Sequence, residues 1–360
     1  MNKTLLVMAG GTGGHVFPGI AVAKELAARG WSIHWLGTAM RMEADIVPKA
    51  GYSISFIDVV GVRGNGLLRL LKAPFQLLRA IVQARKVIRQ VKPDVVLGMG
   101  GFASGPGGIA AWMGGIPLVV HEQNAIPGLT NKVLSKIASK VLTGFDNAFA
   151  QQPTTGKFYW VGNPVREDFA KVAAKAGYKE QINVLVVGGS LGAQALNQQV
   201  PRALAEFTKI SVQHQTGKGH VETVKQDYQH HIGQKFNWQV SEFIDDMAVA
   251  YNWADIVICR AGALTVAEVA MSGVTAIFVP LPYAVDDHQT MNAKALSDNK
   301  AGFLLPQSQL ESGKLEELMR ELLSNPDVRI ATGIAARKLA KPDATKTVAE
   351  ICIELGAQVA

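Results

Sequence analysis

The chain has 360 residues, of which 48% are hydrophobic and 18% charged, a composition that indicates a folded protein and excludes a disordered one. At about 150 residues per domain, this length predicts two domains. The two cysteines, Cys259 and Cys352, lie far apart in the sequence and match no spaced metal or redox motif, so we expect no disulfide framework and a reducing cytoplasm. The first apolar run is about five residues long, much shorter than the core of a signal peptide, so we expect no export.

Positive charge is concentrated in the first half of the chain. The net charge is +7, and residues 1–160 carry 17 basic residues against 7 acidic ones. Eight basic residues and no acidic residue lie between Asp58 and Asp94. This segment predicts an anionic partner.

Strand-like apolar runs alternate with helix-like segments throughout, which predicts an α/β fold with parallel sheets. The first helix is expected to have Pro18 in its first turn and Gly30 just past its end. The pattern restarts after 178 residues, where "INVLVVGGSLGAQ" repeats the design of "TLLVMAGGTGGHV". We therefore expect two doubly wound domains joined near "VGNPVR" (161–166), with a site between them at the carboxyl ends of the strands.

The first glycine loop, "GGTGGHVFPG" (10–19), follows a strand and opens a helix. Such loops present backbone amides to phosphate groups, although a tight turn packed for its own sake is the alternative. The third glycine of a dinucleotide fingerprint is replaced by Val16, and no ribose-binding acid follows the next strand. His15 lies at the loop's end, where its imidazole could take a proton from a hydroxyl or simply bond the loop backbone.

Further motifs follow other strands. "GMGGFASGPGG" (98–108) offers amides for a second anionic group or serves close packing, and "VVHEQNAIPG" places Glu122 where it could be a second base or part of a polar network. In "RAGALTVAE" (260–268), Thr265 and Glu268 have the spacing of a capping box, which needs no ligand. The polar cluster 286–289 could hold hydroxyls or cap a helix. No Asp-x-Asp pair occurs, so no metal is demanded.

The basic segment also has an apolar stripe. Leu67, Leu71, Phe75, Leu78 and Val82 have helical spacing, with cations between them. Basic amphipathic helices bind anionic membranes, whereas a core-facing helix with a solvated face is the alternative. We expect a membrane-contacting surface formed by Leu67, Leu68, Arg69, Leu71, Lys72, Phe75, Leu78 and Arg79.

In order along the chain, "GGTGGHVFPG", "GGFASGP", "HEQNAIPG", "VGNPVR", "VVGGSLGAQ" and "RAGALTVAE" resemble glycosyltransferase family 28, the N-acetylglucosaminyltransferases of peptidoglycan synthesis. The resemblance covers nearly the whole chain. It implies a GT-B fold, with two Rossmann-like doubly wound parallel-sheet domains facing a cleft. The first domain would comprise residues 1–163 and 341–360 and face the acceptor and membrane, and the second, residues 164–340, would bind UDP-N-acetylglucosamine (UDP-GlcNAc).

The resemblance implies inverting transfer of GlcNAc to the C4 hydroxyl of the MurNAc in undecaprenyl-pyrophosphoryl-MurNAc-pentapeptide, without a cofactor. It places the enzyme peripherally on the cytoplasmic face of the bacterial inner membrane, with an anionic membrane surface and other cell-wall synthesis or division proteins as partners and no nucleic acid. His15 is the first choice of base and Glu122 the second. The implied donor site is Thr12, Gly13, Gly14, Asn124, Arg166, Ser190, Ile244, Ala263, Leu264, Thr265, Val266, Ala267, Glu268 and Gln289.

Within that donor site, Glu268 would hold the ribose, Ile244 the uracil, Ser190 the phosphates, and Gln289 with Asn124 the sugar. His288 stands where the family often has glutamine. The acceptor pyrophosphate would contact Gly13, Gly14, Gly101, Ser104 and Gly105.

Three alternatives stay open on the residues alone: an NAD-dependent dehydrogenase, a non-catalytic nucleotide-sugar-binding subunit, and a GT-B enzyme that glycosylates diacylglycerol.

Overall fold

A computed structural model of the chain describes residues 2–59, 67–146, 148–149, 156–173, 175, 177–189, 192–282 and 287–358, with the backbone alone described for 67–72. The chain forms two compact units. Unit 1 comprises Met1–Arg166 and Lys341–Ala360, and unit 2 comprises Glu167–Ala340.

Unit 1 alternates strands and helices. In chain order its elements are β1 (Thr4–Ala9), α1 (Gly13–Ala28), β2 (Ser32–Gly37), α2 (Glu43–Lys49), β3 (Ser53–Phe56), α3 (Leu67–Val91), β4 (Val95–Gly100), α4 (Ser104–Met113), β5 (Leu118–Glu122), α5 (Leu129–Ile137), β6 (Lys140–Thr143) and β7 (Phe158–Trp160). The seven strands form one parallel sheet in the order β3-β2-β1-β4-β5-β6-β7.

Unit 2 repeats this design. After a short 3-10 turn its elements are β8 (Ile182–Val187), α6 (Gln194–Leu204), β9 (Ile210–Gln215), α7 (Val221–His231), β10 (Asn237–Ser241), α8 (Met247–Trp253), β11 (Ile256–Cys259), α9 (Ala263–Ser272), β12 (Thr275–Phe278), α10 (His288–Ser297), β13 (Phe303–Leu304), α11 (Lys314–Ser324) and α12 (Pro326–Lys338). Its parallel sheet has the order β10-β9-β8-β11-β12-β13. The last helix, α13 (Ala344–Ala357), belongs to unit 1.

Both sheets are doubly wound, as the alternation predicts. Strand order reverses between β1 and β4 in unit 1 and between β8 and β11 in unit 2. Ligands of open α/β sheets bind at such reversal points, beyond the carboxyl ends of the strands. The glycine loops that follow β1 and β8 therefore lie at the expected ligand-binding edge of their own sheets.

Each sheet is buried on both faces, which explains the continuous apolar runs of its central strands. In β1, Leu5 and Val7 pack into one cluster, while Leu6 and Met8 pack into another on the opposite face. Helix α13 completes the first of these clusters with Val348, Ala349, Cys352 and Leu355. Unit 2 has its own cluster around Val184, Val186, Ile256 and Ile258.

Candidate active site

The first glycine loop is shorter than the sequence suggests. Helix α1 begins at Gly13, with Thr12 as its N-cap in an extended conformation. The Thr12 carbonyl accepts hydrogen bonds from the amides of His15 and Val16 at 3.1 and 3.2 Å. Pro18 therefore lies in the second turn, and its predicted place in the first turn is wrong because the glycines already form that turn. Gly30 follows the helix with φ +84°, which confirms the predicted left-handed position.

A buried carboxylate holds this loop. Glu43 is 1% exposed, and its Oε2 accepts a hydrogen bond from the Gly11 amide at 2.9 Å. Its Oε1 accepts from the amide and hydroxyl of Thr38 at 3.1 and 2.6 Å. Gly11 has φ +89°, which a side chain would disfavour, and a Cβ on Gly10 would lie 2.4 Å from Glu43 Oε1. Sequence reasoning missed Glu43 because it lies 32 residues after Gly11, outside any motif.

His15 is oriented by the same loop. Its Nδ1 lies 3.0 Å from the Gly10 carbonyl oxygen and 3.4 Å from Thr12 Oγ1. A carbonyl oxygen only accepts hydrogen bonds, so in the neutral ring Nδ1 carries the proton and Nε2 carries the lone pair. The ring lies against the backbone of Gly100, where a Cβ would be 3.0 Å from Nε2. The loop therefore fixes Nδ1 as a donor, and Nε2 carries the lone pair of the neutral ring.

The second glycine stretch of unit 1 crosses the first. Gly100 and Gly101 have φ +101° and +90°, and a Cβ on Gly101 would lie 2.4 Å from the Gly10 carbonyl oxygen. Helix α4 then begins at Ser104, whose fully buried hydroxyl lies 2.8 Å from the Gly100 carbonyl and 2.9 Å from that of Met8. The Ser104 side chain thus ties α4 to β1.

Glu122, at the end of β5, organises the loop that follows it. The carboxylate is 2% exposed and accepts hydrogen bonds from the amide and side chain of Asn124 at 2.9 and 3.2 Å. Its other oxygen accepts from the Gly128 amide at 3.0 Å and from Asn131 Nδ2 at 2.9 Å. Four donors occupy this carboxylate, which is the polar network that the sequence left open as an alternative.

The neighbouring His121 is structural. It is fully buried, its Nε2 donates to the Gly162 carbonyl at 2.9 Å, and its Nδ1 lies 3.1 Å from Gln123 Nε2. Burial lowers the pKa of His121 from 6.5 to about 4. The imidazole is therefore neutral near pH 7 and joins β5 to the segment 161–166.

In the glycine loop of unit 2, a neutral side chain takes the place that Glu43 has in unit 1. Gly189 and Gly192 have φ +82° and +76°, and the Gly189 amide donates to Gln215 Oε1 at 3.0 Å. Gln215 Nε2 in turn donates to the carbonyls of Gly189 and Glu242 at 3.1 and 2.9 Å. Ser190, the predicted phosphate contact, lies outside the described residues. Gln215 was not predicted, because nothing in its own motif distinguishes it from a surface glutamine.

The motif "RAGALTVAE" opens helix α9, but not through a capping box. The N-cap is Gly262 and no side chain caps the helix, so Thr265 is the third helical residue. The capping-box explanation of Thr265 and Glu268 is therefore wrong. Arg260 holds the neighbouring loops, donating to the Val279 and Pro280 carbonyls and to Gln307 Oε1 at 3.0, 3.1 and 2.7 Å.

The remaining predicted donor residues are divided between the two units. Ile244 follows β10 and lines a cavity of about 490 Å³ together with Trp238 and Lys225. Gln289 is in the first turn of α10, and its Oε1 accepts from the Leu281 amide at 2.9 Å. Thr12, Gly13, Gly14, Asn124 and Arg166 lie in unit 1, and the others lie in unit 2.

Helix α3 presents its apolar stripe to solvent. Phe75, Leu78 and Val82 are 77%, 59% and 62% exposed. A different face, formed by Ala80, Ala84, Val87 and Ile88, is buried. The core-facing alternative is therefore wrong for these described members of the stripe, whereas the side chains of Leu67, Leu68, Arg69, Leu71 and Lys72 lie outside the described part.

Exposed cations share this helix. Arg79 pairs with Asp58 at 3.1 Å, and Arg85, Lys86, Arg89 and Lys92 follow it along the exposed side. Trp112 and Met113, at the end of α4, are 56% and 50% exposed and were not identified from the sequence.

None of the described helices is long and apolar enough to cross a bilayer. The described residues also contain no cluster of three or more His, Cys, Asp or Glu suited to a metal ion.

Comparisons with known proteins agree with this architecture. Residues 5–143 match the glycosyltransferase family 28 N-terminal domain, and residues 183–348 match the family 28 C-terminal domain. A crystal structure of Acinetobacter baumannii MurG superposes with a TM-score of 0.83 at 43% identity, covering 98% of this chain and 99% of that one. The Staphylococcus aureus MnaA–UDP structure, at 13% identity and a TM-score of 0.69, shares the fold alone.

Curated relatives match over nearly the full length. One from Pseudoalteromonas atlantica is 60% identical over 98% of this chain and 95% of its own length. One from Shewanella denitrificans is 56% identical over 99% and 98%. Both are named UDP-N-acetylglucosamine--N-acetylmuramyl-(pentapeptide) pyrophosphoryl-undecaprenol N-acetylglucosamine transferase.

Two Rossmann-like units, each with a glycine loop at its sheet reversal, and two matched glycosyltransferase domains define a GT-B glycosyltransferase. The chain belongs to glycosyltransferase family 28. The dehydrogenase alternative is thereby excluded.

Proposed function

We propose that this enzyme transfers GlcNAc from UDP-GlcNAc to the C4 hydroxyl of MurNAc in undecaprenyl-pyrophosphoryl-MurNAc-pentapeptide, with inversion at the sugar carbon. The relatives named for this reaction match almost the whole chain. The observation that carries the mechanism is His15, whose Nδ1 is held by the Gly10 carbonyl at the start of α1. This arrangement supplies a base beside a loop suited to an anion.

The chemistry follows from one in-line displacement. His15 Nε2 takes the proton of the acceptor hydroxyl as its oxygen bonds to C1 of GlcNAc, and the bond from C1 to the phosphate oxygen breaks. UDP departs with the electron pair. Backbone amides at a helix N-terminus stabilise such negative charge, so the chain's own residues can support the leaving group.

We assign the base to His15 rather than to Glu122. Glu122 accepts four hydrogen bonds that hold the loop 123–128 and α5 in place. A carboxylate used in this way is poorly placed to take a substrate proton, because protonation would break bonds that maintain the loop. His15 Nε2, in contrast, accepts no hydrogen bond from any residue that the structure describes.

The donor nucleotide is proposed to bind at the edge of unit 2. The start of α9, with Ala263, Leu264, Thr265, Val266, Ala267 and Glu268, would bind the ribose and diphosphate, and Ile244 the uracil. Ser190 would contact phosphate, and Gln289 the sugar. The resemblance to the family implies further donor contacts from unit 1, at Thr12, Gly13, Gly14, Asn124 and Arg166. Thr265 and Glu268 do not cap α9, so their presence in the motif is not explained by helix capping, which supports a role in binding.

The acceptor is proposed to bind unit 1. Its pyrophosphate would meet the backbone of Gly13, Gly14, Gly101, Ser104 and Gly105, and the exposed stripe and cations of α3 would contact the cytoplasmic face of the bacterial inner membrane. The exposure of Phe75, Leu78 and Val82 supports this docking surface. Apolar insertion and attraction to anionic lipid would then act together.

The test is transfer of labelled sugar to a lipid-pyrophosphoryl-MurNAc-pentapeptide. UDP-GlcNAc is compared with UDP-GalNAc and UDP-glucose, with and without EDTA, and the product anomer is determined by NMR. We expect selective, chelator-insensitive formation of a β-linked product. Binding of UDP-GlcNAc without any transfer to this acceptor, while diacylglycerol is glycosylated, would overturn the proposal.

A further inference from the structure

The peptide group between Gly10 and Gly11 connects two side chains. Its N–H, on Gly11, donates to Glu43 Oε2 at 2.9 Å, and its carbonyl, on Gly10, lies 3.0 Å from His15 Nδ1. A buried carboxylate and the proposed base thus bond opposite ends of one planar amide.

This connection has a chemical consequence for the imidazole. A carboxylate that accepts the N–H of an amide polarises the amide and increases the negative charge on its carbonyl oxygen. The oxygen becomes a better acceptor for Nδ1–H, which favours the tautomer with the lone pair on Nε2.

The corresponding loop of unit 2 offers an internal comparison. At the 178-residue offset, Gly189 corresponds to Gly11 and Ala193 to His15. The Gly189 amide is held by Gln215, a neutral side chain, at 3.0 Å. A neutral amide is therefore sufficient to fix the turn, and the carboxylate occurs in the loop that carries a histidine.

Burial of a carboxylate at this position is unfavourable for the free energy of folding. Glu43 is 1% exposed, and its three hydrogen-bond donors, the amides of Gly11 and Thr38 and the Thr38 hydroxyl, are all neutral. Burying a charge is unfavourable even when it is hydrogen-bonded. Because the turn can be held without a charge, the charge indicates a second task.

We propose that Glu43 is a positioning residue for His15 and acts through the Gly10–Gly11 peptide group to hold the imidazole with its lone pair on Nε2. The inference rests on the proposed role of His15 as the base. It explains why a buried glutamate, a positive-φ glycine and a histidine come together at one turn.

The first measurement uses the unaltered enzyme. Nitrogen-15 NMR of histidine-labelled protein at pH about 8.5 distinguishes the two neutral tautomers, and the His15 signals are assigned by their loss in His15→Ala. We expect Nδ1 to be protonated and Nε2 to carry the lone pair. The opposite tautomer in the unaltered enzyme would overturn the proposal without any variant at position 43.

The second measurement compares Glu43→Gln with the unaltered enzyme. The Gln side chain keeps the volume but is neutral and has one acceptor oxygen in place of two, so the carboxylate that polarises the Gly10–Gly11 peptide group is lost. We expect a mixture of His15 tautomers and a kcat lowered about tenfold or more, with the KM for UDP-GlcNAc within about twofold. A folded Glu43→Gln enzyme with the unaltered tautomer and kcat would contradict the relay.

Two controls separate the relay from general damage. Glu25→Gln removes one negative charge from α1 at its pair with Arg29, away from the loop, and should change neither readout. Thr38→Val removes the 2.6 Å hydroxyl bond to Oε1 but keeps the Gly11 bond, so it should lower stability and leave the tautomer unaltered. If His15→Ala stays active, the base assignment fails, whereas the NMR result still decides the relay.

Discussion

At the scale of single residues, two buried acidic side chains accept hydrogen bonds that hold the loops of the proposed active site in place. Glu43 bonds the first glycine loop and Glu122 bonds the loop after β5, and both are almost fully buried. Of the two proposed bases, Glu122 accepts four hydrogen bonds, whereas His15 is held through Nδ1. Two predictions separate these roles.

Replacing His15 with Ala should lower kcat by about 10²–10⁴-fold, the usual contribution of a general base. UDP-GlcNAc binding, measured by calorimetry, should be little changed because the loop backbone remains. His230→Ala, on the solvent side of α7, is the matched control. Full activity of His15→Ala would remove the histidine from the mechanism.

Glu122→Gln should act on stability. Two of the four hydrogen bonds to the carboxylate would face an NH₂ group, so the free energy of unfolding should fall by about 2–3 kcal/mol in urea titrations. The folded fraction should keep most of its kcat. A fully stable variant with a kcat near that of His15→Ala would identify Glu122 as the base instead.

Buried His214 should make stability depend on pH. Burial lowers its pKa from 6.5 to about 3 in β9, where it contacts Tyr228 and Asn197. Between these two pH values the unfolded chain binds a proton that the folded chain does not, so stability falls as pH decreases below 6.5. The contribution is about 1.4 kcal/mol per pH unit. In His214→Gln, the slope of the free energy of unfolding against pH should be smaller by up to that amount below pH 6.5. An unchanged slope would mean that the pKa of His214 is not lowered in the folded protein.

At the scale of elements, the alternation of strands and helices and the positions of the glycines predicted the sheets, the loops and the left-handed Gly30 just past the end of α1. The start of α1 was misplaced, because the glycine pair Gly13 and Gly14 has low helix propensity, although it forms the first turn of the helix. Glu43 and Gln215 could not be found from the sequence, since their partners are 32 and 26 residues away. Spacing also could not decide which face of α3 is covered; the structure shows that the alanine face packs and the larger side chains remain outside.

This exposed face gives a prediction for membrane binding. Changing Phe75, Leu78 and Val82 together to Ser should lower partitioning onto anionic vesicles about 100-fold, since each apolar side chain contributes on the order of 1 kcal/mol or more. The free energy of unfolding should change little because all three are exposed. Binding is measured by vesicle sedimentation, and higher salt should weaken it further.

The matched control for that experiment is Ile334→Ser, on α12 of unit 2, where the side chain is 49% exposed. It removes one exposed apolar side chain without changing α3. Equal loss of vesicle binding in both variants would show that general surface hydrophobicity, rather than the α3 stripe, contacts the membrane.

At the scale of the whole molecule, the two units have separate sheets and separate cores, and each contains one buried free cysteine. Burial raises the pKa of Cys352 to about 12, and burial with the nearby Glu268 charge raises that of Cys259. Both thiols are therefore unreactive until their own unit opens. Thiol labelling can report on each unit separately.

Val348→Ala removes two methyl groups from the fully buried face of α13 and should cost about 2 kcal/mol. Labelling of Cys352, followed by mass spectrometry, should become about 30-fold faster, while that of Cys259 should not change. Val224→Ala, in the core of unit 2, should give the reverse pattern. Equal acceleration of both thiols by either variant would mean that the units open together.

The return of α13 to unit 1 has a consequence for synthesis on the ribosome. The core of unit 1 includes Val348, Cys352 and Leu355, which are translated after every residue of unit 2. Unit 2 is continuous in the chain, so all of its residues leave the ribosome before unit 1 has its final helix. The unit that begins first in the sequence is thus the second to be completed. Until α13 is translated, the apolar surface that it covers is exposed, and exposed surface of this kind favours aggregation.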